Sequence, residues 1–239
     1  MKAVILAGGL GERIRERYPD TIKSLIKFRD KPFIYYQIDL LIKNGFKQIV
    51  VCSGYGHKEL TEYLDTENFS AEIFVSDDGD KPLGTGGAIK KALNHLGPEF
   101  MVIYGDSYLD FDYKRSMDKF LFSSKLALMT IYRNNNRFDK SNIWYKNNKI
   151  FDYSKQNPNR KYKYIDYGVS FFRAGCFFAT PIDAFDLSSL YEYLIYKDML
   201  DSDIIKERFY EIGSLSGIDE FDRYIRRLYS CDNRKGEKK

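Results

Sequence analysis

The stretch Met1–Arg15, MKAVILAGGLGERIR, decides the fold class. Its first part, Lys2–Ala7, reads as a short strand with no polar alternation, the pattern of a strand covered on both faces of a parallel sheet. Glycines at 8, 9 and 11 follow at once, where backbone N–H groups can close around a phosphate with no Cβ in the way. Two familiar phosphate loops are excluded by spacing. A dinucleotide fingerprint needs glycine where Ile14 stands, and no GxxxxGK[ST] occurs in the chain. Taken alone, the segment is equally well a tight strand-to-helix turn with a charged flank.

Working outward, Pro32–Asn44 carries Phe33, Tyr36, Gln37, Leu40 and Leu41 at helical spacing and stops at Asn44-Gly45. Gln48–Cys52 predicts a second buried strand, Lys58–Leu64 a helix and Ala71–Val75 a strand. Gly87–Leu96 predicts a helix entered from a glycine-rich loop, and Met101–Tyr104 a fourth apolar strand ending in Gly105-Asp106. The alternation predicts an α/β fold built of βαβ units, a predominantly parallel mixed sheet flanked by helices. Ligands of such sheets bind at the carboxyl ends of strands, where or beside which Gly8–Gly11, Gly84–Gly87 and Gly105-Asp106 fall. The second half reads differently. Leu126–Arg133, Asn142–Tyr145, Lys149–Tyr153 and Val169–Phe172 are β-rich segments between polar turns, Leu187–Leu200 and Gly217–Leu228 are helices, and 233–239 is a charged, frayed tail.

Composition narrows the function classes. The 239 residues are 44% hydrophobic and 30% charged, which excludes disordered and collagen-like chains. Thirty-eight basic against 34 acidic residues leave a net charge of +4, too balanced for a nucleic-acid binder but suited to anionic small molecules. Cys52, Cys176 and Cys231 are too far apart for a disulfide framework or a zinc site, which points to a reducing cytoplasm. The apolar start is too short for a signal-peptide core and no run reaches the roughly 18 residues of a membrane span, so no membrane partner is expected. His57 and His95 have no mutual ligand spacing.

Leu6, Ala7, Gly8, Gly9, Gly11 and Arg13, followed by Lys23, resemble the LAGGxGTRL and PKP signature of the sugar-1-phosphate nucleotidyltransferases. Glu12 stands for the usual threonine, Ile14 for leucine, and Ile22-Lys23-Ser24-Leu25 keeps only the lysine of the second element. Four more segments follow in family order. Pro82–Ile89 resembles the PLGTAGAL loop, Tyr104–Ser107 the GD motif, Asp166–Val169 the NxG or DxG segment, and Tyr210–Ser214 the EIGSPEGL element. The resemblance runs from Met1 to about Arg227 and looks most like the guanylyltransferases of mannose or manno-heptose 1-phosphate.

The resemblance implies a Rossmann-like nucleotide-diphospho-sugar transferase fold with a β-rich sugar-binding part. One domain is expected over 1–232, nucleotide-binding to about 112 and sugar-binding from about 113, before the tail at 233–239. The implied reaction joins an NTP, GTP by preference, to D-glycero-D-manno-heptose or mannose 1-phosphate with Mg²⁺, releasing pyrophosphate. Arg13, Lys23 and Asp106 are the implied catalytic residues. Leu6, Ala7, Gly8, Gly9, Gly11, Arg13, Lys23, Gly84, Thr85 and Gly86 would bind the nucleotide. Asp106, Lys155, Asp166 and Gly168 would bind the sugar phosphate, and Asp106 with Glu211 the metal. No catalytic His or Cys is needed, because a sugar phosphate is already ionised near neutral pH. A homo-oligomer is compatible with the family. Cytidylyl or thymidylyl transfer stays open, as does a non-catalytic nucleotide-sugar sensor, for which the departures at Ile22, Ser24 and Glu211 speak. A glycosyltransferase is disfavoured, since Gly105-Asp106-Ser107 lacks a DxD pair.

Overall fold

β1 (Lys2–Leu6) has no polar face because both of its faces are covered: Ala3 and Ile5 meet one helical layer and Val4 the other, all three fully buried. The computed structural model describes residues 1–79, 81–155, 161–178 and 182–236, the last six by backbone alone. After β1, a short hairpin of β2 (Lys27–Phe28) and β3 (Lys31–Pro32) leads into α1 (Phe33–Lys43). β4 (Gln48–Ser53) then pairs in parallel with β1, α2 (His57–Thr66) crosses over, and β5 (Glu72–Asp77) pairs in parallel with β4. α3 (Gly84–Ala92) carries the chain back, and β6 (Glu99–Tyr104) joins the opposite side of β1, also in parallel. Strand order therefore reverses at β1, the place where open α/β sheets form a ligand crevice.

The second half extends the same sheet with antiparallel pairs. β7 (Ser107–Tyr108) leaves β6, and α4 (Tyr113–Phe122) begins where the Asp112 carboxylate accepts the Arg115 N–H at 3.0 Å. β8 (Ala127–Arg133) is followed by the hairpin β9 (Ile143–Lys146) and β10 (Lys149–Tyr153). Asn147 and Asn148 turn that hairpin at φ 50 and 59, the left-handed pair a two-residue turn demands. β11 (Tyr164–Arg173) lies between β6 and β8, antiparallel to both. Then come α5 (Gly175–Phe178), α6 (Leu187–Tyr196), β12 (Leu200–Ile205) in parallel with β8, β13 (Tyr210–Glu211) antiparallel to β7, and α7 (Leu215–Gly236).

Two expectations are corrected. The helix expected over Leu187–Leu200 ends at Tyr196, because Asp198 adopts φ 54 and Leu200 opens an edge strand. The last helix starts at Leu215 and runs to Gly236, so it takes in the first four residues of the expected tail, whose remainder lies outside the described residues. α4 has no counterpart in the sequence reading.

One face of the sheet is covered by α1, α2, α4 and α7, the other by α3, α5 and α6. Phe221 of α7 sits at the centre of the first layer, edge-on to Phe28 at 4.7 Å and Phe33 at 4.9 Å. Such edge-to-face pairs add about 0.5–1.5 kcal/mol each beyond the area they bury. The tyrosine and phenylalanine excess is thus core in large part. Cys52 and Cys176 are buried cysteines outside any disulfide, and the Cys231 side chain lies outside the described residues. Among the described residues no helix is long and apolar enough to cross a membrane.

Candidate functional site

The carboxyl ends of β1, β4, β5 and β6 open onto a cleft of about 450 Å³. Leu6, Ala7, Gly8 and Gly9 line it from the first loop, Gly84 and Thr85 from the second, with Lys23 and Asp106 at one end. Glycine is required where strands close on each other: the Gly105 N–H donates to the Leu6 carbonyl at 3.0 Å, and a Cβ there would stand 2.3 Å from that oxygen.

Asp106 sits at this tight crossing, directly after β6. Its Oδ2 accepts from Lys23 Nζ at 2.9 Å and its Oδ1 from the Ser107 hydroxyl at 3.3 Å. Burial works to raise its pKa, but the Lys23 charge, the two hydrogen bonds and the Arg13 charge outweigh it and leave the carboxyl below its usual range. Lys23 reaches Asp106 even though its flanks depart from the family pattern. Ile22 packs where a Cβ on Gly56 would fall 2.2 Å from its Cδ1, which seats the short 3₁₀ turn that carries the lysine, and Ser24 is buried beside the cleft.

Glu211 reaches the same place through β13, which pairs Glu211 with Ser107, while the Ile212 N–H donates to the Asp106 carbonyl at 2.9 Å. Its carboxylate accepts the Gly213 N–H at 2.5 Å and the Ser214 hydroxyl. Burial, and after the Ser214 bond the Asp106 charge, hold the Glu211 pKa above its usual value. Gly213 measures the convergence: a Cβ there would lie 2.8 Å from Arg13 Nη2, 3.0 Å from Glu211 Oε2 and 3.2 Å from Asp106 Oδ2. Arg13 thus joins the two carboxylates although it and Gly11 stand outside the cleft lining. Gly11, at φ 63, opens the 3₁₀ turn Glu12–Ile14 that buries Ile14 and leaves Arg13 exposed.

The second glycine loop divides. Gly84, at φ 70, and Thr85 face the cleft. Gly86 does not: its N–H and that of Gly87 donate to the Phe185 carbonyl at 2.9 and 3.1 Å, and a Cβ on Gly86 would meet the Phe185 ring at 2.2 Å. Gly86 thus packs against Phe185 and lies outside the cleft lining of Gly84 and Thr85. The Thr85 hydroxyl accepts the Leu187 N–H at 2.8 Å, so the loop is strapped to a segment a hundred residues downstream.

On the other side of Asp106, the Tyr104 hydroxyl donates to Asp166 Oδ2 at 3.0 Å and the Gly168 N–H to Asp166 Oδ1 at 3.0 Å. Burial raises the Asp166 pKa against the Lys155 charge, and Lys155 Nζ lies 5.1 Å over the Tyr104 ring. At Gly168, φ 105, a Cβ would come within 3.3 Å of the Ser107 hydroxyl. Asp106, Ser107, Gly168, Asp166, Tyr104 and Lys155 form one continuous set of contacts. Among the described residues no group of three or more His, Cys, Asp or Glu side chains is arranged to hold a metal; Asp106 and Glu211 are a pair.

Among the lining residues that sequence reasoning did not single out as site residues are Tyr104, Asp186 and Asp78. Asp78 follows β5 as Asp106 follows β6, within Asp77-Asp78-Gly79, and that parallel was the available signal. Its Oδ2 stands where a Cβ on Gly8 would be 3.1 Å away, and burial pushes its pKa up to about 6.

A family model described as nucleotidyl transferase matches residues 2–139. A D-glycero-alpha-D-manno-heptose 1-phosphate guanylyltransferase of Campylobacter jejuni subsp. jejuni is 37% identical over 112 residues, 47% of this chain and 50% of that protein. A protein of the same name from Aneurinibacillus thermoaerophilus is 35% identical over 130 residues, 54% of this chain and 56% of its own. The match spans about half the length of these curated relatives. The crystal structure of HddC from Yersinia pseudotuberculosis complexed with GMP-PN superposes with a TM-score of 0.79 at 22% identity, covering 94% of this chain and 99% of that one, a likeness of fold.

Proposed function

The chain belongs to the nucleotidyl transferase family, and we propose that it transfers a nucleoside monophosphate from an NTP to a sugar 1-phosphate, releasing pyrophosphate. GTP and D-glycero-D-manno-heptose or mannose 1-phosphate are the proposed substrates, on the strength of the relatives named guanylyltransferases. The observation that carries the reading is the Lys23–Asp106 pair at the strand-order reversal, with Arg13 and Glu211 meeting it at Gly213.

In this reading, the nucleotide lies against the Gly8-Gly9 and Gly84-Thr85 loops, and the sugar 1-phosphate against Asp166, Gly168 and Lys155. The nucleotide part extends to about residue 112 and the sugar part over about 113–232, although Asp186 and Phe185 of the second part also shape the nucleotide cleft. A sugar-phosphate oxygen attacks the α-phosphorus, the new P–O bond forms, and the bond to the β-phosphate oxygen breaks. No proton needs removing from the nucleophile, so the chain's contribution is placement and charge. Lys23 and Arg13 offset the charge of the departing pyrophosphate; Arg13 brings a planar donor pair suited to phosphate oxygens.

The residues fit a divalent cation of the Mg²⁺ type, which takes one or two carboxylates and completes its shell with phosphate oxygens and water. Asp106, held ionised, and Glu211 would supply the carboxylates. When bound, such an ion draws charge off the phosphate oxygens.

The experiment is pyrophosphate release with Mg²⁺, crossing GTP, ATP, CTP, UTP and dTTP against heptose, mannose and glucose 1-phosphates. GTP with heptose or mannose 1-phosphate is the expected productive pair. Tight nucleotide-sugar binding with silence across the matrix would instead establish the sensor reading.

A further inference from the structure

The buried face of α1 contains an amide. Gln37 stands at helical spacing with Phe33, Tyr36, Leu40 and Leu41 and is fully buried with them. Such a group must find partners or cost stability. Gln37 finds them at the site: its Nε2 donates to the Tyr104 carbonyl at 2.9 Å and to the Ser107 carbonyl at 2.7 Å. Both partners can only accept, so chemistry fixes which end of the amide faces them. The two carbonyls bracket Gly105-Asp106, the turn between β6 and β7.

Both hydrogens of one nitrogen thus serve one turn. They leave that nitrogen in a plane at about 120° to each other, so the two bonds coexist only while the carbonyls of 104 and 107 keep a set separation. That width sets the direction in which the Asp106 side chain leaves the backbone, and with it the 2.9 Å approach to Lys23 Nζ. The turn is tied on two other sides, by the Gly105 N–H to the Leu6 carbonyl at 3.0 Å and by the Ile212 N–H to the Asp106 carbonyl at 2.9 Å. Gln37 ties its two ends to α1. The remaining atom of the amide shows what the position demands. Gln37 Oε1 is buried with no hydrogen-bond partner among the described residues, a cost that methionine, of similar length, would not carry if packing were the only need.

We infer that Gln37 is a positioning residue for the transfer reaction: through the carbonyls of Tyr104 and Ser107 it holds the Asp106 carboxylate where Lys23, Arg13 and Glu211 converge. This role rests on the nucleotidyl-transfer reading for what Asp106 does, and it adds the side chain that aims Asp106. Gln37 stands outside the cleft lining, so it acts through the carboxylate and not on the nucleotide. Misplacing a reacting group by about 1 Å costs up to about a hundred-fold in rate. Outer partners of metal-binding groups carry about ten- to a hundred-fold in affinity or activity.

Gln37→Met removes both donors and fills the same space. It is expected to lower kcat by about ten- to a hundred-fold while KM for GTP changes by less than about two-fold, since the loops against the nucleotide are untouched. A cycle with Asp106→Asn separates positioning from mere structure. Once the carboxylate is gone, a residue that works through it has little left to act on, so Gln37→Met is expected to cost less than about three-fold more in the Asp106→Asn background. A loss that repeats in full there, a loss carried by KM for GTP, or an unchanged kcat overturns the assignment. Binding of Mn²⁺ to the protein with GTP and no sugar phosphate, followed by electron paramagnetic resonance, repeats the cycle without turnover. Gln37→Met is expected to weaken Mn²⁺ binding by about ten-fold, and Asp106→Asn to erase that difference; an unchanged affinity in Gln37→Met overturns the assignment as well. If the wild type uses no sugar phosphate but the Mn²⁺ cycle runs as expected, the transfer reading fails and the positioning of Asp106 stands. Denaturant midpoints establish that each variant is folded. Should Gln37→Met not fold, Gln37→Asn, whose amide falls one methylene short of the two carbonyls, takes its place in both cycles.

Discussion

Two aspartates end two parallel strands of one sheet, and their environments drive them in opposite directions. Asp106 is met by Lys23 at 2.9 Å, by Ser107 and by the Arg13 charge, and its pKa falls below the usual carboxylate value. Asp78 is half-buried with the Lys91 charge to offset that burial and with Asp77 working against it, and its pKa rises to about 6. Position on the sheet edge is shared; the counter-charge is not. The difference in counter-charge alone separates a carboxylate held ionised from one pushed toward its neutral form.

The comparison can be broken first at Asp106. Asp106→Asn is expected to lower pyrophosphate release by about a hundred-fold to a thousand-fold or more, the scale of losing a group that stabilises transition-state charge. Stopped assays at saturating substrate measure it, and near-normal turnover would end the catalytic assignment. Lys23→Ala comes next, with a loss of about ten- to a hundred-fold in kcat/KM. It also takes away the charge that depresses the Asp106 pKa, so the acid limb of the pH–rate profile moves to higher pH; an unmoved limb would show that the pair does not set the ionisation.

At the other end the sign reverses. As pH falls through about 6, Asp78 gains a proton and its half-buried charge is removed. Lys91, Asp77 and the Cys52 thiol are the ionisable neighbours. Stability follows the same linkage. Because its pKa is raised on folding, Asp78 costs stability as pH climbs from near 4 through 6, and Asp78→Asn should gain about 1 kcal/mol at pH 8 after allowance for its partial exposure to solvent. Denaturant midpoints at pH 5 and pH 8 measure it; an equal shift at both would mean that charge burial is not the cause. The smallest effect is expected at Arg17, whose 2.6 Å pair with Asp219 is exposed: Arg17→Ala should leave activity unchanged and the denaturant midpoint where it is, and a clear loss of stability would show that the pair is not screened by solvent.

The same pair of aspartates shows what could be read in advance. Gly105-Asp106 closes an unbroken apolar run, so strand, crossing glycine and carboxylate announced themselves together. Asp78 lies in Ser76-Asp77-Asp78-Gly79, which reads as a polar turn, and only the folded sheet shows that this turn faces the cleft. The parallel first half was legible because each of its strands is apolar throughout or bounded by glycine. β12 was not, since Asp201, Ser202 and Asp203 interrupt it; its partner is β8, and Arg115 and Ser116 of α4 hold Asp203 at 2.9 and 2.6 Å. Gly86 shows what a motif leaves out: glycine there reads as an opening for close approach, and the folded chain places the Phe185 ring against it.

The position of β11 has a consequence for how the molecule is made. The stretch that carries the family match ends at 139, yet β6 and β8, both encoded before that point, are joined only by β11 from 164–173, and Phe221 closes the aromatic cluster begun by Phe28 and Phe33. A ribosome that has delivered the whole matched segment has therefore produced a sheet with a missing middle strand and a glycine loop without its Phe185 strap. The nascent chain must wait, with β6 and β8 unpaired on their facing edges, until β11 has emerged, and longer still for Phe221 of the last helix.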